Sequence, residues 1–270
     1  MDCYGVIGYP VKHSVSPAMH NAAFRALGMK AVYASFEVKP EELRAAIEGA
    51  KALGIKGLNV TIPHKEEVMK LSKPDELASK IGAVNTLKIG EEIEAYNTDA
   101  YGALKALEKA GVGVAGKTFL IVGAGGAARA IAFALVENGA TVVITNRTKQ
   151  RGLKLAQDVR KYGECVFVPM DDLERLKFDV LINATPVGMN GYMPGKLPVD
   201  GKLIREGIVV FDTVYNPMET ALIRLAKMRG CKVVYGIDML VYQGAKAFEI
   251  WTGVTPPVDV MKKAAIEALG

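Results

Sequence analysis

The chain has 270 residues, of which 50% are hydrophobic and 23% are charged, so its composition is that of a globular protein and excludes a disordered one. This length suits one large domain or two ordinary ones, and we expect two. The formal net charge is +5, and the basic residues are scattered along the chain. Scattered charge favours small anionic ligands over a nucleic-acid track, which needs a clustered basic face.

The cysteines and histidines show no metal or disulfide pattern. Cys3, Cys165 and Cys231 lie far apart without C-x-x-C spacing, so we predict neither a disulfide framework nor a zinc site. The histidines at positions 13, 20 and 64 form no H-E-x-x-H pair, and we interpret them as surface or helix-capping residues. No apolar run approaches the roughly 20 residues of a membrane span, and the amino terminus does not resemble a signal peptide. We therefore expect a cytoplasmic protein without a metal site.

Strands and helices alternate over the first hundred residues. Strands are predicted over residues 3–7, 32–38 and 56–62, and helices over 19–27 and 40–53. Further elements are helices near 66–71 and 76–81, a strand over 82–87 in a hairpin with 93–96, and a helix over 101–110. Such alternation indicates an α/β domain.

Two serines precede the first helix. Ser16 followed by Pro17 predicts a helix start, with Ser16 as the N-cap and Pro17 in the first helical position. Ser14 is not needed for capping. Two hydroxyl groups at a helix N-terminus can bind a carboxylate, because free N–H groups and the helix dipole favour an anion there.

Polar residues gather at the end of the third predicted strand. Alternation places Asn59 and Thr61 on one face, which by itself is compatible with a solvated side of a sheet. Lys65 follows directly after Pro63, so an amide, a hydroxyl and an amine lie close together in the sequence. Asp99 precedes a predicted helix and is either its N-cap or a functional carboxylate.

The segment K-T-F-L-I-V-G-A-G-G-A-A-R at residues 117–129 predicts a strand, a tight turn and a helix. Gly123, Gly125 and Ala128 fit the dinucleotide pattern G-x-G-x-x-A, in which the backbone turns sharply and approaches a pyrophosphate. The helix N-terminus supplies N–H donors for the phosphates. A glycine turn that only joins a strand to a helix is the alternative interpretation.

The next predicted strand, residues 141–145, ends in Asn146, Arg147 and Thr148. An acidic residue at this strand end binds the ribose 2′-hydroxyl in NAD-specific proteins, and none is present here. Arg147 and Thr148 instead offer a guanidinium and a hydroxyl for a 2′-phosphate, so the sequence favours NADP. A solvated arginine in a loop is the alternative.

Alternation continues to the end of the chain. Strands are predicted over 166–168, 179–183, 209–211 and 233–235, and helices over 151–162, 220–228, 239–251 and 258–269. This pattern predicts a doubly wound parallel sheet with ligands at the carboxyl ends of its strands. Thr185, Thr213, Tyr215 and Gly236 follow such ends. The glycine-rich segment 109–114 is the candidate linker before this sheet.

Several local motifs occur together and in a fixed order. They are S-V-S-P at 14–17, N-V-T-I-P-H-K at 59–65, G-A-V-N-T at 82–86, N-T-D at 97–99, G-A-G-G-A-A at 123–128, N-R-T at 146–148 and Y-Q-G-A at 242–245. Jointly they resemble the shikimate dehydrogenase family from about Tyr4 to the carboxyl terminus. The resemblance implies an N-terminal α/β substrate domain, residues 1–110 with 237–270, and a Rossmann-type NADP-binding domain, residues 111–236.

The resemblance also implies an activity, the NADPH-dependent reversible reduction of 3-dehydroshikimate to shikimate in aromatic amino-acid biosynthesis. It implies that Lys65 and Asp99 are the catalytic acid-base pair. The implied substrate contacts are Ser14, Ser16, Asn59, Thr61, Asn85, Tyr215 and Gln243. The implied cofactor contacts are Glu76, Gly123, Ala124, Gly125, Gly126, Ala127, Asn146, Arg147, Thr148, Thr185, Thr213, Gly236 and Met239.

Two other functions remain open at this point. A quinate/shikimate dehydrogenase with broader substrate or cofactor use is the first, and Arg147 argues against its use of NAD. An NADP-binding regulator without turnover is the second, and a pure binding module does not require Lys65 and Asp99. We expect a small-molecule substrate, no nucleic-acid or membrane partner, and a monomer or homodimer.

Overall fold

The structure is a computed structural model that describes residues 1–270, and its contacts divide the chain into two compact units. The first unit comprises Met1–Gly102 and Val241–Gly270, and the second comprises Ala103–Leu240. The domain boundaries expected at 110/111 and 236/237 stay a prediction. None of the helices combines the length and the apolar character needed to cross a bilayer.

Twelve strands and nine α-helices follow the predicted alternation. The strands are β1 (Asp2–Gly8), β2 (Ala31–Glu37), β3 (Gly57–Val60), β4 (Lys73–Pro74), β5 (Thr86–Ile89), β6 (Ile93–Tyr96), β7 (Thr118–Val122), β8 (Thr141–Thr145), β9 (Cys165–Phe167), β10 (Val180–Asn183), β11 (Val209–Asp212) and β12 (Lys232–Tyr235). The helices are α1 (Ser16–Ala26), α2 (Leu43–Ala52), α3 (Glu76–Ile81), α4 (Asp99–Lys109), α5 (Gly126–Glu137), α6 (Lys149–Val159), α7 (Ala221–Met228), α8 (Gly236–Thr252) and α9 (Val258–Glu267).

The first unit contains a six-stranded mixed sheet in the order β2-β1-β3-β5-β6-β4. The pairs β1–β2, β1–β3 and β4–β6 are parallel, whereas β3–β5 and β5–β6 are antiparallel. The register places Asn59 opposite Thr86, and Thr86 opposite Tyr96. Polar residues that are distant in the sequence therefore meet across three neighbouring strands.

An aromatic cluster forms part of the core of this unit. The ring of His20 stacks on Tyr33 at a centroid distance of 4.4 Å and packs against Phe248 and Trp251. Both His20 and His64 are buried, so the prediction of surface or capping positions is wrong for them. Tertiary contacts are the reason: the ring of His64 hydrogen-bonds to the carbonyl of Val38 at 2.8 Å.

The second unit contains a sheet of six parallel strands in the order β12-β11-β10-β7-β8-β9. The strand order reverses beside β7, which is the topology of a doubly wound nucleotide-binding sheet. Residues 119–122 of β7 are buried, as expected for a strand covered on both faces. The predicted fold class, an α/β substrate unit with a Rossmann-type doubly wound parallel sheet, is confirmed.

Two strands differ from their predictions, and the first is β5, which spans Thr86–Ile89 where a strand over 82–87 was expected. Strand β3 ends at Val60, and Ile62 is 64% exposed, although a strand was expected to continue to residue 62. The backbone turns at this point, because the N–H of His64 donates to the carbonyl of Thr61 at 3.0 Å. This turn directly precedes Lys65.

Candidate active site

Lys65 and Asp99 form an ion pair in the first unit. The Nζ atom of Lys65 lies 2.5 Å from Oδ2 of Asp99, and their side chains are 16% and 7% exposed. Lys65 follows the turn after β3, and its carbonyl accepts a hydrogen bond from the N–H of Val84 at 2.8 Å. The ammonium group is therefore held by its own backbone segment and by a carboxylate 34 residues away in the sequence.

Asp99 is the first residue of α4, but it does not cap that helix. The side-chain oxygen of Asn97 accepts hydrogen bonds from the N–H groups of Asp99 and Ala100, at 3.1 and 3.3 Å. Asn97 thus performs the capping interaction that the sequence allowed for Asp99. The carboxylate of Asp99 is left to contact other side chains.

Asn85 holds the second oxygen of Asp99. Its Nδ2 atom lies 2.9 Å from Oδ1 of Asp99, 3.0 Å from Oγ1 of Thr98 and 3.2 Å from Oε1 of Gln243. The N–H of Thr98 donates to Oδ1 of Asn85 at 2.7 Å, which sets the orientation of the amide because a backbone N–H only donates. One oxygen of Asp99 is therefore bonded to Lys65 and the other to Asn85.

Asn59 belongs to the same buried network. Its Oδ1 atom accepts from the hydroxyl of Tyr33 at 2.8 Å, and its Nδ2 atom donates to Oγ1 of Thr86 and to the carbonyl of Asn85. Both amide hydrogens are occupied within the protein, and one lone pair of Oδ1 is left for a ligand. Tyr33 was missed by the sequence analysis, because no local signal connects a strand tyrosine with an asparagine 26 residues away.

The start of α1 differs from its prediction, whereas the substrate contacts expected for Ser14 and Ser16 stay a prediction. The N-cap position is occupied by Val15, and Ser16 is the first helical residue. The hydroxyl oxygen of Ser14 accepts a hydrogen bond from the N–H of Ser16 at 3.3 Å. The prediction that Ser16 is the N-cap is therefore wrong, because the helix starts at Ser16 and the hydroxyl of Ser14 reaches its first N–H.

The other predicted substrate residues lie in different places. Gln243 is 8% exposed and joins the Asn85 network, whereas Thr61 is half-buried in the turn after β3. Tyr215 lies in the second unit, and burial raises the pKa of its phenol above the ordinary value of 10.0. This phenol is therefore protonated at neutral pH. Its contact with a substrate stays a prediction.

The turn between β7 and α5 has the geometry of a phosphate-binding turn. Gly123 has a φ of 123°, and a Cβ atom at this position would lie 2.8 Å from the carbonyl oxygen of Ala184. Gly125 is the N-cap of α5 and offers no side-chain cap, and the space beside its Cα is open. The first N–H groups of α5 are thus accessible to an anion, which fits the pyrophosphate of a dinucleotide.

The remaining predicted cofactor residues are spread over both units. Asn146, Arg147 and Thr148 follow β8, and the side-chain amide of Asn146 donates to the carbonyl of Thr148 at 2.9 Å. Gly236 packs so closely on the segment after β11 that a Cβ would lie 2.4 Å from the carbonyl oxygen of Thr213. The others are Ala124, Gly126 and Ala127 at the turn, Thr185 after β10, and Met239, which is buried in α8.

Glu76 stands apart from the other predicted cofactor residues. It lies in α3 of the first unit, where its side chain is 84% exposed and forms an ion pair with Lys80 at 2.8 Å. A contact of Glu76 with the cofactor stays a prediction.

Three protein-family models match separate parts of the chain. The shikimate dehydrogenase substrate binding domain matches residues 6–87. The model described as shikimate/quinate 5-dehydrogenase matches residues 105–189, and the shikimate 5′-dehydrogenase C-terminal domain matches residues 236–266. The first match contains the turn between β3 and Lys65, and the second contains the phosphate-binding turn between β7 and α5.

Known proteins are similar over almost the whole length. The shikimate dehydrogenase (NADP⁺) of Archaeoglobus fulgidus is 56% identical over 267 residues, which cover 98% of each chain. A crystal structure of a shikimate dehydrogenase in complex with NADP⁺ superimposes with a TM-score of 0.95 at 46% identity, covering 100% of this chain and 96% of the other. The Thermus thermophilus shikimate 5-dehydrogenase in complex with NADP(H) and shikimate gives a TM-score of 0.91 at 38% identity, covering 99% and 100% of the two chains.

Proposed function

This chain belongs to the shikimate dehydrogenase family, and we propose that it catalyses the NADPH-dependent reversible reduction of 3-dehydroshikimate to shikimate. One observation carries the proposal: a lysine ammonium and a carboxylate are paired at 2.5 Å within a network of otherwise uncharged polar residues. The complexes of two relatives with NADP⁺ and with NADP(H) and shikimate support the choice of cofactor and substrate.

Reduction of a ketone requires a hydride and a proton, and bound NADPH supplies the hydride. We assign the proton to Lys65, whose ammonium donates it to the carbonyl oxygen as negative charge develops there. In the reverse direction the neutral amine of Lys65 takes the proton of the hydroxyl group. Asp99 holds the Nζ atom in one position, and Asn85 holds Asp99 through its other oxygen.

The substrate is an anion with several hydroxyl groups, and the first unit offers matching partners. We assign its carboxylate to the hydroxyls of Ser14 and Ser16 at the start of α1, where the positive end of the helix dipole favours an anion. We assign the ring hydroxyls to Asn85, Gln243 and Thr61. Asn59 contributes the remaining lone pair of its Oδ1 atom.

The second unit provides groups that suit NADP. We assign the pyrophosphate to the N–H groups at the start of α5, after Gly123 and Gly125. We assign the 2′-phosphate to Arg147 and Thr148, because a guanidinium forms charge-assisted hydrogen bonds with phosphate oxygens. A cytoplasmic location and a monomeric or homodimeric state complete the proposal.

The test is a steady-state assay that follows NADPH absorbance with 3-dehydroshikimate as substrate. We expect oxidation of NADPH with 3-dehydroshikimate, and much slower oxidation with dehydroquinate or when NADH replaces NADPH. Turnover of dehydroquinate or use of NADH at comparable kcat/KM would replace the proposal by a quinate/shikimate dehydrogenase of broader use. Binding of NADPH without any turnover would instead indicate a regulator.

A further inference from the structure

A buried carboxylate in the second unit has no part in the activity proposed above. Asp212 is the last residue of β11 and is completely buried. It accepts hydrogen bonds from Nδ2 of Asn183 at 2.9 Å, from the N–H of Val214 at 3.0 Å and from Oγ1 of Thr220 at 2.6 Å. One carboxylate thus connects the end of β10, the loop after β11 and the N-cap of α7.

Asp212 also helps to orient the side-chain amide of Asn183. An ionised carboxylate only accepts hydrogen bonds, so the Nδ2 atom of Asn183 faces Asp212 and its Oδ1 atom faces away. That Oδ1 atom accepts from the N–H and the hydroxyl of Thr185, at 3.1 and 2.6 Å. The hydroxyl oxygen of Thr185 in turn accepts from the N–H of Val187 at 3.2 Å. The Nδ2 atom of Asn183 also donates to the carbonyl of Val187 at 3.2 Å. The carboxylate of Asp212 therefore helps to hold the loop after β10, together with the backbone groups of Thr185 and Val187.

Both loops lie at the edge of the sheet where a dinucleotide binds. Strands β7, β10 and β11 are neighbours and parallel, so their carboxyl ends meet at the same edge. The loop after β10 touches the phosphate-binding turn, since a Cβ atom at Gly123 would lie 2.8 Å from the carbonyl oxygen of Ala184 and 3.1 Å from Cγ2 of Thr185.

Stability alone does not account for an aspartate at this position. Desolvation raises the pKa of Asp212 from 3.8 to about 6, although three hydrogen bonds act in the opposite direction. When folding raises the pKa of a carboxyl group, the protonated group stabilises the folded state. This contribution to the free energy of unfolding is complete below the pKa of the unfolded state, and it is lost as the pH rises through the pKa of the folded state. At neutral pH the ionised form of Asp212 therefore favours folding less than the protonated form would, while its hydrogen bonds contact two loops beside the nucleotide edge.

We propose that Asp212 is a positioning residue for NADP(H), which holds the loops after β10 and β11 in the conformation that binds the dinucleotide. The inference rests on the proposed function for the identity of the ligand. Asp212 is buried beneath these loops and acts through Asn183, Thr185 and Val214. The affinity for the dinucleotide is expected to depend strongly on Asp212. The binding of shikimate is expected to depend on it much less, because all the predicted shikimate contacts except Tyr215 lie in the first unit.

The test is isothermal titration calorimetry of the full chain with NADPH and, separately, with shikimate. We expect Asp212→Asn to weaken NADPH binding by at least about tenfold, the effect of losing a charge-assisted hydrogen bond, and to change the Kd of shikimate by a much smaller factor. Asp179→Asn is the matched control. Asp179 accepts a hydrogen bond from the N–H of Thr118 at the opposite edge of the same sheet, so its replacement should not change NADPH binding.

Thr220→Val provides a second variant if Asp212→Asn does not fold. It removes the hydroxyl that donates to Oδ2 of Asp212, and we expect weaker NADPH binding with shikimate binding retained. An unchanged Kd of NADPH in a folded Asp212→Asn or Thr220→Val variant would overturn the inference, and so would an equal loss of NADPH and shikimate binding. Absence of NADPH binding by the unaltered protein would overturn the proposed function together with this inference.

Discussion

The buried imidazole of His20 is expected to make the first unit sensitive to acid. Neither ring nitrogen has a hydrogen-bond partner in the protein, and burial lowers the pKa of His20 from 6.5 to about 3. A histidine whose pKa is depressed on folding contributes stability above its unfolded pKa. This contribution is lost as the pH falls from 6.5 towards 3, because the unfolded chain binds a proton that the folded chain does not.

The size of the effect follows from these two pKa values. Between pH 7 and pH 5 the unfolded state gains about 2 kcal/mol from protonation of His20, at about 1.36 kcal/mol per pKa unit below 6.5. The folded state gains almost nothing in this range, and the result is the same for any folded pKa below about 4. Replacing His20 by leucine should remove this dependence. The packing defect of the leucine is the same at both pH values and cancels in the comparison.

The measurement is urea unfolding at pH 7 and pH 5, followed by tryptophan fluorescence. Trp251 is the single tryptophan of the chain and lies 5.4 Å from the ring of His20, so it reports on the same core. The free energy of unfolding of the unaltered protein should fall by about 2 kcal/mol more than that of His20→Leu. His13→Leu, which changes an exposed histidine, should follow the unaltered protein. Parallel losses in the unaltered protein and His20→Leu would refute the reasoning.

Three further predictions concern catalysis, the cofactor and the core. Lys65→Ala should lower kcat by about 10²-fold or more with a smaller change in substrate Kd, because it removes the proposed proton donor. The control Lys70→Ala, which removes an exposed lysine, should leave steady-state rates unchanged. A normal kcat in Lys65→Ala would reject the role of Lys65 as the acid. Arg147→Ala should raise the KM for NADPH by about tenfold and leave that for NADH unaltered, and equal changes for both would exclude a 2′-phosphate contact. Gly57→Ala should destabilise the protein by about 1–3 kcal/mol in thermal melts, because the alanine Cβ would lie 2.3 Å from Nε1 of Trp251. An unchanged Tm would contradict this packing.

Contiguous segments could be interpreted correctly from the sequence. The strand, turn and helix of residues 117–129 lie next to one another in the chain, and Gly123 is required there by its own backbone angle and by a close approach. Arg147 lies two residues after the end of β8, and its contact with a 2′-phosphate stays a prediction. Alternating strands and helices were sufficient to predict a doubly wound parallel sheet, because the handedness and length of such connections leave few topologies.

Contacts between distant segments were decided by the tertiary structure. Asn85 meets Gln243 across 158 residues, and Asp212 meets Asn183 across 29. His20 and His64 were expected to be surface or helix-capping residues, and Ser16 was expected to cap the first helix. These predictions were wrong because residue type alone does not show which neighbour contacts a polar group. The capping of α4 by Asn97 instead of Asp99 has the same origin.

The amino-acid sequence by itself determined most of the secondary structure, the tight turn between β7 and α5, and the residue types that suit NADP and acid-base chemistry. It did so because the periodicity of apolar residues and the backbone freedom of glycine act over a few neighbouring positions. Only the tertiary structure decided which polar side chains are buried together. The pairing of β3 with β5 and of β5 with β6 places the segments next to these strands side by side, and it brings Asn59, Asn85 and Asp99 into one hydrogen-bond network.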